Sequence, residues 1–390
     1  MEENSPLLST RQTGINLNSG RKLYSTLALG ILCICIAAFV IQTELAQLIQ
    51  TERNFHKPYF ILWIAHSFWT IMIPIQFAFQ PNFRTYMSEF IRTGNELVCE
   101  VNPTYQINYR YMDTENEGDD VVQHRSVPHE YILTYLFKIA FFFAVLISAV
   151  GYSWYVAVNY TTMANLTAIY NISCFWAYVF SVPLLGESVQ MAKVCSVFLS
   201  TAGVIIMSLD QKDPTPGYDV GGDAEVGSNG AIYTGDLIAL LGAVLYGLYE
   251  VLYKKYGSPP TPSILFANTM TGLIGIFSLI FLWVPIPILH YTGIEEFSLP
   301  DMKTFGCIIL MVSSGVAFNA SFMIVIALTS PIFAAIGILL TIPTVAVVDA
   351  LVIKSSLSMG TIVGSLCILI SFVLLSWRSI KDEIKKHRSD

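Results

Sequence analysis

The residues best suited to hold a small solute lie along one apolar stretch, 161–185. Ala164, Thr167, Asn171, Cys174 and Tyr178 recur three and four residues apart, so a helix carries them on one face, with Asn165, Tyr170 and Trp176 flanking it. Amides and hydroxyls can hydrogen-bond a ligand, and aromatic faces can stack on a ring-bearing solute. The same side chains also glue packed helices together, so on residue type alone both readings stand. Asn319, Thr341 and Pro343 offer similar chemistry late in the chain. A proline frees a backbone carbonyl, which apolar surroundings tolerate where it lines a cavity or finds another donor. Tyr246 belongs to the same set, within Tyr246-Gly247-Leu248-Tyr249-Glu250.

Three carboxylates, Glu44, Glu250 and Asp349, fall inside or at the ends of apolar stretches, where a charge costs several kcal/mol and usually faces a cavity or a partner. They are candidates for ion coupling, with His66 and Lys138 weaker ones. Each has a plainer alternative. Glu250 and Lys254 are four apart and can pair locally on a helix, while Glu44 and Asp349 can sit at the membrane interface.

Catalysis has no foothold here. There is no phosphate loop and no Ser/His/Asp set. The seven cysteines show no metal or redox spacing, and all but Cys99 lie in apolar runs. We expect no enzyme activity, cofactor or bound metal. Basic residues do not gather with aromatics in a soluble region, so nucleic acid is not an expected partner.

The elements that must position these residues are membrane helices. Hydrophobic residues make up 54% of the 390 and charged residues only 13%, against about 25% charged in ordinary soluble domains. A chain this long cannot cover a soluble core with so little charge, whereas a lipid bilayer can. A span needs roughly 20 apolar residues. Ten segments meet that need: 25–49, 58–79, 131–157, 161–185, 192–209, 234–253, 264–289, 305–327, 332–353 and 359–377. The first is too long and too far inside the chain for a cleaved leader and lacks a small-residue cleavage site. With the N-terminus placed in the cytosol, cytosolic segments carry about three times as many Lys and Arg as the opposite face, which favours both termini inside and an even helix count.

The expected organisation is a cytosolic tail (1–24), a first five-helix half (25–209), a lumenal linker rich in Gly, Pro and Asp (210–233), a second five-helix half (234–377) and a basic cytosolic tail (378–390). Within the first half, 80–130 is a long polar cytosolic loop with an acidic run at 113–120, expected to be disordered. The stretches 160–210 and 327–377 resemble one another at an offset of about 167 residues. Five helices per half is an odd number, so the second half inserts upside down. The fold class expected is an all-α membrane protein with ten transmembrane helices as two inverted five-helix repeats, an arrangement typical of secondary transporters with the site at the repeat interface.

The motifs are more specific. Pro183-Leu184-Leu185-Gly186-Glu187 closes the fourth helix, and the next helix carries Gly203-Val204. This resembles the repeat ending of the drug/metabolite transporter superfamily (EamA-like). Lys57-Pro58-Tyr59-Phe60, Gly235-Asp236-Leu237, Gly242-Ala243-Val244-Leu245-Tyr246-Gly247, Phe297-Ser298-Leu299-Pro300, Leu328-Thr329-Ser330-Pro331 and Thr341-Ile342-Pro343 are similar to solute carrier family 35, subfamily F, and to fungal vacuolar and thiamine-related members. The second half departs from the pattern, with Ile353-Lys354 in place of the Gly-Glu pair, so no role passes from Glu187 to that half. The resemblance implies a substrate site along the fourth helix and its counterpart. With the candidates that residue type adds, the expected site residues are Asn165, Thr167, Tyr170, Asn171, Trp176, Tyr178, Tyr246, Glu250, Asn319, Thr341 and Pro343. It implies an alternating-access carrier of a small organic metabolite, thiamine-like or nucleotide-like. The alternatives are a Golgi or ER nucleotide-sugar exchanger and a non-transporting receptor or scaffold.

The tail residues Glu3, Leu7 and Leu8 form an acidic dileucine pattern that a sorting adaptor would read, addressing the chain to a vacuolar or lysosomal membrane. The glycosylation patterns at Asn159, Asn165, Asn171 and Asn319 lie in or against predicted helices, so we expect none to be used. Gly360 and Gly364 are spaced for close helix packing, within one chain rather than across a dimer. The expected state is monomer or homodimer.

Overall fold

The computed structural model describes residues 10–102, 127–161, 163–186, 191–209, 229–261, 263–328, 341–352, 358–371 and 373–374. Glu3, Leu7, Leu8, the acidic run, most of the linker and the basic tail lie outside the described residues, as do the side chains of Asn165, Pro343 and Asp349. All regular elements among the described residues are helical.

The helices are α1 (Thr10–Gln50), α2 (Pro58–Phe68), which passes through a 3-10 turn (Trp69–Ile71) into α3 (Met72–Ala78), α4 (Phe83–Val101) and α5 (His129–Ala157). Next come α6 (Met163–Asn171), α7 (Ser173–Leu185), α8 (Met191–Leu209), α9 (Asn229–Tyr256), α10 (Ile264–Phe281), α11 (Pro285–Tyr291), α12 (Met302–Leu328) and α13 (Thr341–Val352). Met359–Ser371 is a shorter apolar helix, α14. Seven stretches of described residues are long and apolar enough to cross a membrane: Gly30–Gln50, Pro58–Ala78, His129–Ala157, Leu166–Leu185, Tyr233–Tyr256, Ile264–Phe281 and Met302–Phe322. Each coincides with one of the ten expected segments; α8, α13 and α14 occupy the remaining three. Large apolar side chains point outward along these spans, among them Phe137, Phe141 and Phe142 on α5 and Leu279, Ile280 and Phe281 on α10. Water would penalise so broad an apolar surface, whereas lipid accepts it.

The bundle is knitted by pairs distant in sequence. α1 runs along α12 and touches α13; α9 lies against α5, α6 and α7; α10 lies against α5 and α2; α2 also meets α12, and α6 meets α13. Small residues bring these backbones together. A Cβ on Gly203 of α8 would stand 2.7 Å from the Gly364 carbonyl of α14, so Gly364 packs within the chain.

The α2–α10 contact is tied along its length by polar groups. The Glu295 carboxylate, from the loop after α11, accepts hydrogen bonds from the Tyr59 and Phe60 backbone N–H groups at 2.9 and 3.0 Å. These are free donors at the start of α2, where Pro58 is already exempt and Lys57 offers no side-chain cap. Tyr59 Oη and Trp63 Nε1 donate to the Leu282 and Ser278 carbonyls at the far end of α10, and Asn268 Nδ2 donates to Gln76 Oε1 at 2.7 Å. Glu295→Ala leaves two buried donors unmet and lowers stability by about 1–3 kcal/mol; Glu295→Gln, keeping one acceptor, loses less. Burial raises the Glu295 carboxyl above its ordinary value, outweighing the two backbone hydrogen bonds and nearby Lys57, which lower it. The folded chain therefore takes up this proton at a higher pH than the unfolded chain. Stability from this site grows as pH falls through the raised value toward the ordinary one, and shrinks above it. Thermal melts of the wild type and Glu295→Gln should diverge in that direction between neutral and mildly acidic pH.

The first part of the polar loop 80–130 departs from expectation, because 83–101 is a helix. Asn82 caps it, accepting from the Thr85 N–H at 2.8 Å. Tyr86, Phe90, Leu97 and Val98 are buried on one side, and Arg92 pairs with Glu89 and Glu96 on the other. Phe90 stacks on Phe266 of α10, and Tyr86 Oη bonds Thr269 Oγ1 at 2.7 Å. Composition marks this stretch as polar, but its 3.6-residue periodicity marks it as an amphipathic helix docked on α5 and α10. At the other end of the chain's first half, Gly186 adopts φ 71° and donates to the Val182 carbonyl, a left-handed cap that glycine provides without strain. Lys255 Nζ takes the neighbouring Leu184 carbonyl at 2.7 Å. Pro183-Leu184-Leu185-Gly186 is thus a helix ending.

Candidate functional site

A cavity of about 270 Å³ opens near the middle of the spans. Its walls come from Phe39, Gln42 and Thr43 of α1, Ala65 and His66 of α2, Trp69 of the 3-10 turn, and Ile147, Val150, Gly151, Trp154 and Tyr155 of α5. Tyr170 of α6, Tyr246 and Tyr249 of α9, Thr271 and Ile274 of α10, and Val312, Gly315, Phe318 and Asn319 of α12 complete it. No Asp, Glu, Lys or Arg is among the described residues lining it.

The aromatic walls are held in place by their neighbours. Tyr170 Oη lies 2.7 Å from Ser153 Oγ and 3.0 Å from the Val150 carbonyl; Gly242 leaves room for this cluster, since a Cβ there would run into both hydroxyls. Tyr246 and Tyr249 stack with ring planes 10° apart. Phe39 meets Phe318 at 5.3 Å across α1 and α12. Asn319 Nδ2 donates to the Gly315 carbonyl at 2.9 Å, leaving Oδ1 and the second N–H available. A ring could lie against Tyr, Trp and Phe faces here while its edge meets amides and hydroxyls.

Of the expected site residues, Tyr170, Tyr246 and Asn319 line the cavity. Thr167, Asn171, Trp176, Tyr178, Glu250 and Thr341 do not. The described polar residues of the fourth helix other than Tyr170 lie away from the cavity wall. The helix breaks at Ile172 between α6 and α7, Asn171 Nδ2 turns back to the Thr167 carbonyl at 2.7 Å, and Thr167 and Thr341 are buried on helices that pack against each other. Trp176 lies where α7 abuts Gly247 of α9. Tyr170, on the flank of that face, is the residue that reaches the cavity. Glu44 neighbours Thr43 but is itself not a wall residue, and Glu250 stands one turn beyond Tyr246. His66 of α2, in the sequence only a weaker coupling candidate, is a wall residue. The contributions of α1 and α5 are not among the expected site residues; their signals are Gln42-Thr43 interrupting an apolar run and Trp154-Tyr155 within an apolar helix.

A polytopic helical bundle around an aromatic-walled cavity, with no charged side chain among its described wall residues, suits a membrane transporter. Relatives agree. The chain is 26% identical to an uncharacterized transporter of Schizosaccharomyces pombe over 90% of its length and 96% of that protein's. It is 27% identical to an uncharacterized vacuolar membrane protein of Saccharomyces cerevisiae, over 92% of each. It is 25% identical to solute carrier family 35 member F5 of Bos taurus, over 62% of this chain and 44% of that one. No family model matches. The resemblance read from the motifs therefore holds: these relatives support a drug/metabolite transporter like those of solute carrier family 35, a multi-pass protein of an endomembrane.

Proposed function

We propose that the chain is a secondary transporter that moves a small, flat organic solute without phosphate groups across a vacuolar or related membrane by alternating access. The observation that carries this reading is the cavity wall, with eight aromatic side chains, several amides and hydroxyls, and no charged side chain among its described residues. A phosphate would find no counter-ion there, which weighs against a nucleotide-sugar exchanger. An uncharged ring, or a cationic one attracted to aromatic faces, is well matched. A thiamine-like solute falls within that class.

Alternating access between inverted halves is supported by the pairing of helices. Number the ten segments in order and exchange each with the one five places away. The first-with-eighth contact becomes sixth-with-third, second-with-eighth becomes seventh-with-third, and first-with-ninth becomes sixth-with-fourth; all occur. Second-with-seventh and fourth-with-ninth map onto themselves and also occur, as does fifth-with-tenth through Gly203. The described walls of the cavity come from segments one to four and six to eight, thus from both halves. Both termini in the cytosol, an adaptor reading Glu3, Leu7 and Leu8, and proton coupling through Glu44, Glu250 or Asp349 belong to the same proposal. A comparison of metabolites in organelles with and without the protein should single out one flat, phosphate-free solute, and reconstituted proteoliposomes should transport it. Selective exchange of nucleotide sugars instead would overturn the reading. Uptake whose pH dependence survives neutralisation of all three carboxylates would remove them as coupling groups.

A further inference from the structure

His66 is held as a ligand-binding group is held. Its Nδ1 lies 3.1 Å from Ser148 Oγ on α5, and its ring stacks on Trp69 at 4.4 Å with planes 26° apart. Across from it α5 carries Gly151, where a Cβ would stand 3.1 Å from Cε1 and 3.3 Å from Nε2. The glycine lets the ring edge, together with Leu62, lie close against α5, while the serine and the tryptophan stop the ring from swinging away. His66 is itself a cavity wall residue, and the hydrogen bond its side chain makes to the described residues is the one at Nδ1. The titratable groups sharing the cavity are Tyr155, Tyr170, Tyr246 and Tyr249, with no carboxylate or cation among the described wall residues. His66 thus offers a directed polar edge rather than half of an ion pair. If Ser148 donates to Nδ1, Nε2–H is a donor; if Nδ1–H donates to Ser148, Nε2 is an acceptor.

We propose that His66 is the polar anchor of the solute site: its Nε2 hydrogen-bonds the ring edge of a nitrogen heterocycle whose face lies on the cavity's aromatic walls. This rests on the cavity being the transport site. It narrows the solute from flat organic compounds in general to heterocycles with a ring nitrogen or ring N–H on one edge.

The test uses two probes of the same bicyclic shape, benzimidazole with ring nitrogens and indene without them. Their binding to the full chain in lipid nanodiscs is read by quenching of tryptophan fluorescence, Trp69 and Trp154 both lying in the cavity wall. The wild type should prefer benzimidazole by about tenfold, the scale of one hydrogen bond. His66→Phe, which keeps a stacking ring, should bring the two affinities together, and His66→Gln should restore part of the preference. Equal binding of both probes by the wild type, or a preference that persists in His66→Phe, overturns the anchor. Ala65→Trp separates this failure from failure of the underlying reading. If it blocks both probes while His66→Phe changes nothing, only the anchor is wrong; if it blocks neither, the cavity is not the site and both fall. Should His66→Phe fail to fold, His66→Gln alone must weaken benzimidazole relative to indene, and an unchanged ratio overturns the proposal.

Discussion

Gly247→Val removes most of the folded protein from the membrane. At Gly247 the backbone of α9 lies directly on the backbone of α7. An added Cβ would stand 2.6 Å from the Ala177 nitrogen, 2.7 Å from the Ser173 carbonyl oxygen and 2.7 Å from the Trp176 Cβ. Overpacking against movable side chains costs about 1–3 kcal/mol. Here the obstacles are main chain in a paired helix, so the strain is relieved only by parting the two helices, and the cost exceeds that range. The same helix positions Tyr246 and Tyr249, so any protein that survives has a distorted cavity. Size-exclusion profiles of a fluorescent fusion check the prediction, with Gly306→Ala as control because a Cβ at Gly306 meets nothing within 4 Å. A normal, monodisperse Gly247→Val peak would show that α7 and α9 are not packed as described.

Ala65→Trp has the opposite signature: the protein folds and reaches its membrane, yet solute flux falls to the protein-free background. Ala65 sits in the cavity wall beside His66. An indole at this position has the cavity beside it to enter, and there it takes up much of a 270 Å³ volume. Val150→Trp, entering from α5, should do the same. Measured together, surface yield and flux separate a blocked pathway from a broken fold. Flux that persists in both variants would mean that solute does not pass through this cavity.

The membrane class and the helix positions were legible because hydropathy over roughly 20 residues is a direct record of what a span must be in lipid. Each of the seven long apolar spans falls on a segment expected from composition alone. The helix α4 was legible only through periodicity: its charges, Arg92, Glu89 and Glu96, lie on the solvent side and mask the apolar row of Tyr86, Phe90 and Leu97 when residues are merely counted. The cavity lining was legible in part. Tyr170, Tyr246 and Asn319 stand out in the sequence as polar or aromatic within apolar helices, and all three reach the cavity. Thr167 and Asn171 meet the same criterion and lie away from the cavity wall, since a one-dimensional pattern shows that residues share a face without showing which neighbour the face meets. Glu295 could not have been found in that way. It lies outside every predicted span core, and its role as the cap of α2 exists only because the loop after α11 folds back over a helix start more than two hundred residues earlier.

In the proposed cycle one cavity between the two halves opens in turn to each side of the membrane. A single cysteine at Gln42, a cavity wall residue, reports this in a chain whose seven native cysteines have been replaced. Membrane-impermeant thiol reagent is then added to one side or the other of sealed, oriented vesicles. Alternating access predicts that Gln42→Cys is labelled from both sides, and that bound solute slows both reactions. Labelling from one side only, whatever the solute, or from neither side, would contradict it.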